Sequence, residues 1–150
     1  MRLERAASAR LEEARWLIGE DYYLAGIYLC GYAAEMWIGS AYLKLIGFSP
    51  SEPIDEKRRW AIIKMASQRA VLSEPSHPLD GWARLLVVDK ASLTPPGYDA
   101  TFRTAIVARV NTIARHWSPR LRYRDLDATP RQAHETIDAA TWLATNYARM

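Results

Sequence analysis

The chain has 150 residues, a formal net charge of +3 and 25% charged residues. One domain is expected at this length, burying roughly 68–70% of its unfolded surface without disulfide staples. The charged fraction is that of an ordinary globular protein, the net charge is too small to indicate a nucleic-acid partner by itself, and the lone Cys30 excludes an intrachain disulfide and points to a reducing compartment.

Residues 2–19 read as an amphipathic helix, with Leu3, Ala7, Leu11, Ala14 and Ile18 on one stripe and charged residues elsewhere. Its first turns, MRLERAASARLEE, lack the apolar run of a signal peptide, so a cytoplasmic location is expected. Gly19 is expected to end this helix and Asp21 to cap the next.

The stretch from Asp21 to Ile46 carries one charge between Asp21 and Lys44, Glu35. It has two apolar stripes. One runs through Tyr22, Gly26, Leu29, Ala33, Met36, Ser40 and Leu43, the other through Tyr23, Ile27, Cys30, Ala34, Trp37, Ala41 and Leu45. A helix apolar on two sides is buried on two sides, so this one is expected to be the central post. It is long enough to cross a bilayer, but Glu35 in mid-span and the frequent Gly and Ser argue against a membrane location. Cys30 in its middle reads as a small buried hydrophobe.

Gly47 closes the long helix, and two prolines in residues 48–54 prevent its continuation. A helix is expected over about 55–72, with Trp60, Ile63 and Ala70 inward. Another over about 79–91 carries Leu79, Trp82, Leu85, Leu86 and Val88, in a register the spacing leaves open, with part of it free to lie on the surface. Thr94-Pro95-Pro96-Gly97 is a loop. From about Asp99 to Trp117 a core stripe of Phe102, Ile106, Val110, Ile113 and Trp117 defines a further helix. Residues 118–128 read as a loop. Thr129, Pro130 and Gln132 then form a T-x-x-Q capping box with Pro at the first helical position, and Ala133, Ile137, Ala140, Ala144 and Tyr147 follow as a stripe. The fold class is all-α, a four-helix up-down bundle of the first two and last two long helices, with an additional one- or two-helix insertion between them.

The richest chemistry lies in Arg109–Arg124, which holds Arg109, Arg115, Arg120, Arg122, Arg124 and His116 and no acid. Arg109 and His116 are seven apart, about two helical turns, so both project on one face roughly 10 Å apart, with Thr112 between them. An arginine can clamp a phosphate through two parallel hydrogen bonds, and a histidine can move a proton near neutral pH. The competing reading is that these arginines cover a bundle end and pair with Asp125, Asp127 or Glu35. Glu35, a lone carboxylate in an apolar helix, needs a partner, either a structural one or Arg109 or His116. His77 and His134 have no ligand spacing with Cys or carboxylates, so no metal site and no cofactor are expected. The tryptophans and tyrosines are assigned to packing.

A first helix running from Ala7 to Leu17 as A-x-x-R-L-x-E-A-x-x-L, followed by YYLAGIYLCGYAAE from Tyr22 to Glu35, resembles the HEPN superfamily of small helical bundles. The resemblance covers the first two helices best; residues 48–97 fit it poorly. It implies a metal-independent endoribonuclease with an R-x(4–6)-H motif late in the bundle. Two chains pair there to form one cleft, the arginine binding the scissile phosphate and the histidine helping the 2′-hydroxyl attack it. Arg109 to His116 matches that motif. Active members carry a polar residue just after the arginine, whereas this chain has Val110 and places Asn111 one further on. On this resemblance Arg109 and His116 are the candidate catalytic pair, Glu35, Asn111 and Thr112 their support, and Arg115, Arg120, Arg122 and Arg124 the RNA contacts. Other members lack the motif and serve as binding modules for a nucleotide, RNA or a protein, often beside a separate nucleotidyltransferase-type antitoxin chain. The expected partners are therefore a second copy, RNA and such an antitoxin, with no membrane.

Overall fold

A computed structural model describes residues 3–47, 79–93, 99–123 and 127–150. The helix expected over 55–72, its Trp60, and His77 lie outside them. Among the described residues the chain is all-helical: α1 (Leu3–Gly19), α2 (Tyr23–Leu45), α3 (Leu79–Leu93), α4 (Ala100–His116) and α5 (Pro130–Asn146), with 3₁₀ turns at Pro119–Tyr123 and Tyr147–Arg149. None of these helices is long and apolar enough to cross a membrane.

The helix starts follow local chemistry. Asp99 caps α4, its carboxylate accepting from the Thr101 N–H at 2.8 Å. Thr129 caps α5 through the full box: its hydroxyl accepts from the Gln132 N–H, and Gln132 Oε1 accepts from the Thr129 N–H at 2.9 Å. The α1–α2 junction differs from the sequence expectation. Asp21 caps nothing; it takes a left-handed φ of 64°. The Tyr22 N–H reaches back to Leu17 O and the Asp21 N–H to Ile18 O, the Schellman pair that closes a helix C-terminus. The left-handed position thus falls on an aspartate, with Gly19 still inside the helix. Gly47, at φ 92°, ends α2 as expected.

α2 is the most enclosed element among the described residues. Ile27, Cys30, Ala33, Ala34, Trp37, Ile38, Ala41, Tyr42 and Leu43 are all buried. α1 lies antiparallel on one side of it. Ile18 and Ala14 crowd against Gly26, while at the other end Glu4 pairs with Lys44 at 3.0 Å. α3 packs through Trp82 and Asp89 on Tyr42, the tyrosine hydroxyl donating to Asp89 at 3.1 Å. The register of α3, open in the sequence, is settled with Leu79, Trp82, Leu85 and Leu86 inward and Val88 58% exposed, because Leu85 and Leu86 already fill the inward face. α4 meets α2 at its C-terminal end. The Trp117 indole lies on Gly31, donates from Nε1 to Tyr28 O at 3.0 Å and stands edge-on to Tyr32. Residues 119–123, expected as open loop, instead wind into a 3₁₀ turn that buries Leu121.

α5 joins the two halves. Tyr147, just beyond it, donates to Glu4 Oε1 at 2.6 Å and lies 2.9 Å from the Ser40 hydroxyl, and the Lys44 ammonium sits 4.2 Å above its ring. This polar cluster binds α1, α2 and the chain after α5. The hydrogen bond from Tyr147, followed by the Lys44 pairing, holds the Glu4 carboxyl below its usual value despite partial burial. Most aromatics pack as expected, but Trp16, Tyr22 and Tyr123 are exposed.

Candidate functional site

α4 and α5 run antiparallel in a fixed register. The Arg109 guanidinium lies over the Trp142 ring at 5.7 Å, and His116 Nε2 lies 3.1 Å from Glu135 Oε2. Both pairs are seven residues apart on their own helices, so the same two-turn step repeats on each side of the seam. Arg109 and His116 therefore share one edge of α4, beside the buried stripe of Phe102, Ile106, Val110 and Ile113. Thr112 falls between them and donates its hydroxyl to Ala108 O in its own helix.

The imidazole is the best-defined chemical group of the seam. Its side chain is 10% exposed. Nε2 is taken by Glu135, whose other oxygen, Oε1, accepts from Arg131 Nε at 2.8 Å. Among the described residues Nδ1 makes no hydrogen bond. Arg131, then His116, draw the Glu135 carboxyl below its usual value. Arg131 itself is 88% exposed.

Arg109 is exposed and has no carboxylate partner among the described residues; its contact is the Trp142 face. The stack continues, Trp142 tilting against Phe102 at 5.6 Å and Arg149 capping Phe102 at 4.1 Å. Arginine over an aromatic face keeps its hydrogen-bond donors outward, because the guanidinium plane stacks while its N–H groups point along the edge.

The remaining sequence candidates scatter. Asn111 lies on the opposite side of α4 from Arg109, lining an open groove of about 430 Å³ with Val87, Arg103 and Val107. Arg115 and Arg120 are exposed, and neither pairs with an acid among the described residues. The side chain of Arg122 and all of Arg124 and Asp125 lie outside the described residues; Asp127 is exposed. Glu35 is 7% exposed and is not without a partner. It follows Gly31 by one turn and precedes Tyr42 by two, so it shares the stripe of α2 that meets Trp117 and α3. His134 is exposed on α5, with Nδ1 2.7 Å from Pro130 O.

Glu135 and Arg131 were missed by the sequence reading. Their i,i+4 spacing is visible in the sequence, but only the α4–α5 register sets Glu135 against His116. Among the described residues no group of three or more His, Cys, Asp or Glu side chains could hold a metal ion. No family model matches this chain, nor does any curated protein or solved structure.

Proposed function

We propose that the α4–α5 seam is a phosphodiester site and that the chain is a HEPN-like, metal-independent endoribonuclease. The observation that carries this reading is the state of His116: a carboxylate occupies Nε2 while Nδ1 makes no hydrogen bond among the described residues, two turns from an exposed arginine with no acid beside it among them. Arg109 binds the phosphate. Nδ1 takes the proton of a ribose 2′-hydroxyl, whose oxygen attacks phosphorus. The bond from phosphorus to the 5′-oxygen breaks, and that oxygen leaves after taking a proton from water. The products are a 2′,3′-cyclic phosphate and a 5′-hydroxyl. On this reading α1, α2, α4 and α5 form an up-down bundle, with residues 48–97 inserted. Two copies join so that both seams line one cleft in a cytoplasmic homodimer, held in check by a nucleotidyltransferase-type antitoxin. The antiparallel contacts of α1 with α2 and of α4 with α5 support the bundle.

The test is RNA cleavage in EDTA. Wild type should cut total RNA, His116→Ala should lose at least about 100-fold in rate, the lower end for loss of a general base, and Arg109→Ala should be comparably impaired. Helical circular dichroism should survive in both variants. Cleavage unaffected by both substitutions refutes the reading.

A second reading, a non-catalytic module that binds RNA, a nucleotide or a protein through Arg109, Arg115 and Arg120, is favoured by the low exposure of His116. It predicts binding without turnover, weakened by salt where phosphate contacts dominate.

A further inference from the structure

Glu135 divides its two oxygens between a histidine on the neighbouring helix and an arginine on its own: Oε2 lies 3.1 Å from His116 Nε2, and Oε1 lies 2.8 Å from Arg131 Nε. A carboxylate only accepts hydrogen bonds, so the nitrogen facing it must be the one that carries the proton. The neutral ring is therefore the Nε2–H tautomer, and Nδ1 carries the free lone pair. We infer that Glu135 is the positioning residue of this site, holding His116 by Nε2 so that Nδ1 exchanges protons with the substrate, and that Arg131 governs how strongly it does so.

This inference rests on the reading of His116 as an acid–base group and adds the device that orients it. Glu135 is well placed for the role. It lies in the second turn of α5, whose start is fixed by the Thr129–Gln132 box, and the seam is pinned two turns further on by Arg109 against Trp142. The ring therefore meets a carboxylate whose helix is anchored on both sides of it. The charged groups on the elements around His116 are Arg109 and Arg115 on its own helix, Arg131 and Asp138 on α5, Arg120 in the following turn and Glu35 on α2. Of these, Glu135's neighbour Arg131 is the one in contact with the carboxylate that holds the ring. Removing the negative charge of Glu135 should disfavour the imidazolium. Removing Arg131 leaves that charge less compensated and should favour it. Shifts of opposite sign show that the contact is a charged hydrogen bond; only a parallel change in the cleavage profile shows that it serves the reaction.

The experiment is a long-range ¹H–¹⁵N NMR titration of the full chain. The His116 ring is assigned by its absence in His116→Gln, the chain having three histidines. The Glu135→Gln and Arg131→Gln proteins are titrated alongside, and the pH dependence of RNA cleavage is measured on the same three proteins. The wild type should show the Nε2–H tautomer. The midpoint should fall in Glu135→Gln and rise in Arg131→Gln, and the limb of the cleavage profile that reports His116 should move with it. Arg131 is so exposed that its substitution should leave the fold intact. An Nδ1–H tautomer in the wild type, or the same midpoint in all three proteins, overturns the inference whether or not RNA is cut. The expected tautomer and opposite shifts without any cleavage would uphold the positioning of the ring and strike only the ribonuclease reading.

Discussion

Replacing Gly31 by alanine sets two terms of opposite sign against each other. Alanine in a helix interior is favoured over glycine by about 1 kcal/mol. Against this, a Cβ at position 31 would fall within the indole of Trp117, far inside van der Waals contact. Trp117 is buried, its Nε1 donates to Tyr28 O at 3.0 Å, and its ring stands edge-on to Tyr32 at 5.6 Å. It therefore cannot yield by a simple rotation. Overpacking costs about 1–3 kcal/mol, and an indole N–H swung off its acceptor while still buried costs about 1–3 kcal/mol more. The net loss should be about 1–5 kcal/mol, centred near 3. For a chain of this size the central value lowers Tm by roughly 6–12 °C, at 2–4 °C per kcal/mol. The assay is urea denaturation followed by circular dichroism, in wild type and in a Trp117→Leu background. In that background the clash is relieved, so Gly31→Ala should be neutral or stabilising. An equal cost in both backgrounds, or a gain in the wild type, would refute the reasoning.

Other outcomes follow from the same packing. At Gly39, also within α2, the position a methyl group would take has no described neighbour within 4 Å, so Gly39→Ala should raise stability by about 0.5–1 kcal/mol in the same denaturation assay. Cys30 is fully buried, and burial pushes its thiol up to about 12. It should resist a thiol reagent at pH 8 in the native protein and react at once in urea; fast native labelling would contradict its placement. Tyr147→Phe removes the main cause of the lowered Glu4 carboxyl. A lowered carboxyl stabilises above its unfolded value, roughly pH 4.3, and that contribution is lost as pH falls through the folded value. The variant should therefore be weaker by about 1 kcal/mol at pH 7, a charged hydrogen bond discounted for solvent screening. The gap should narrow as pH falls through the folded value of Glu4; a gap that widens in acid would show the sign to be wrong.

Helix positions were legible because burial repeats with the helical period. Ala7, Leu11, Ala14 and Ile18 on α1, and Phe102, Ile106, Val110 and Ile113 on α4, are buried as their spacing requires. The Thr129 box was legible because its chemistry is local. Asp21 was misread because a cap before a helix and a left-handed stop after one both accept aspartate; only the hydrogen bonds of Leu17 and Ile18 distinguish them. The register of α3 stayed open because four consecutive apolar residues, Leu85 to Val88, leave its inward face undefined. At the candidate site the sequence placed Arg109 and His116 on one edge of a helix. It could not supply Glu135, since that contact depends on how far α5 slides along α4, which helical spacing within either helix does not give. Asn111, two residues from Arg109, lies on the other side of the helix because two helical steps turn it through about 200°.

The hydroxyl of Tyr147 meets Glu4 across 143 positions of chain, and Arg15 reaches Thr141 across 126. The first helix thus finds part of its lasting environment only when almost all of the chain is available. During synthesis α1 and α2 can close on each other early, but the faces that α5 covers stay open until α5 emerges. At about 5–20 residues per second, the hundred or so residues between α2 and Tyr147 correspond to a delay of several seconds. Through that interval the face of α2 that α5 covers is exposed to water, so the nascent chain carries apolar surface that the finished fold hides.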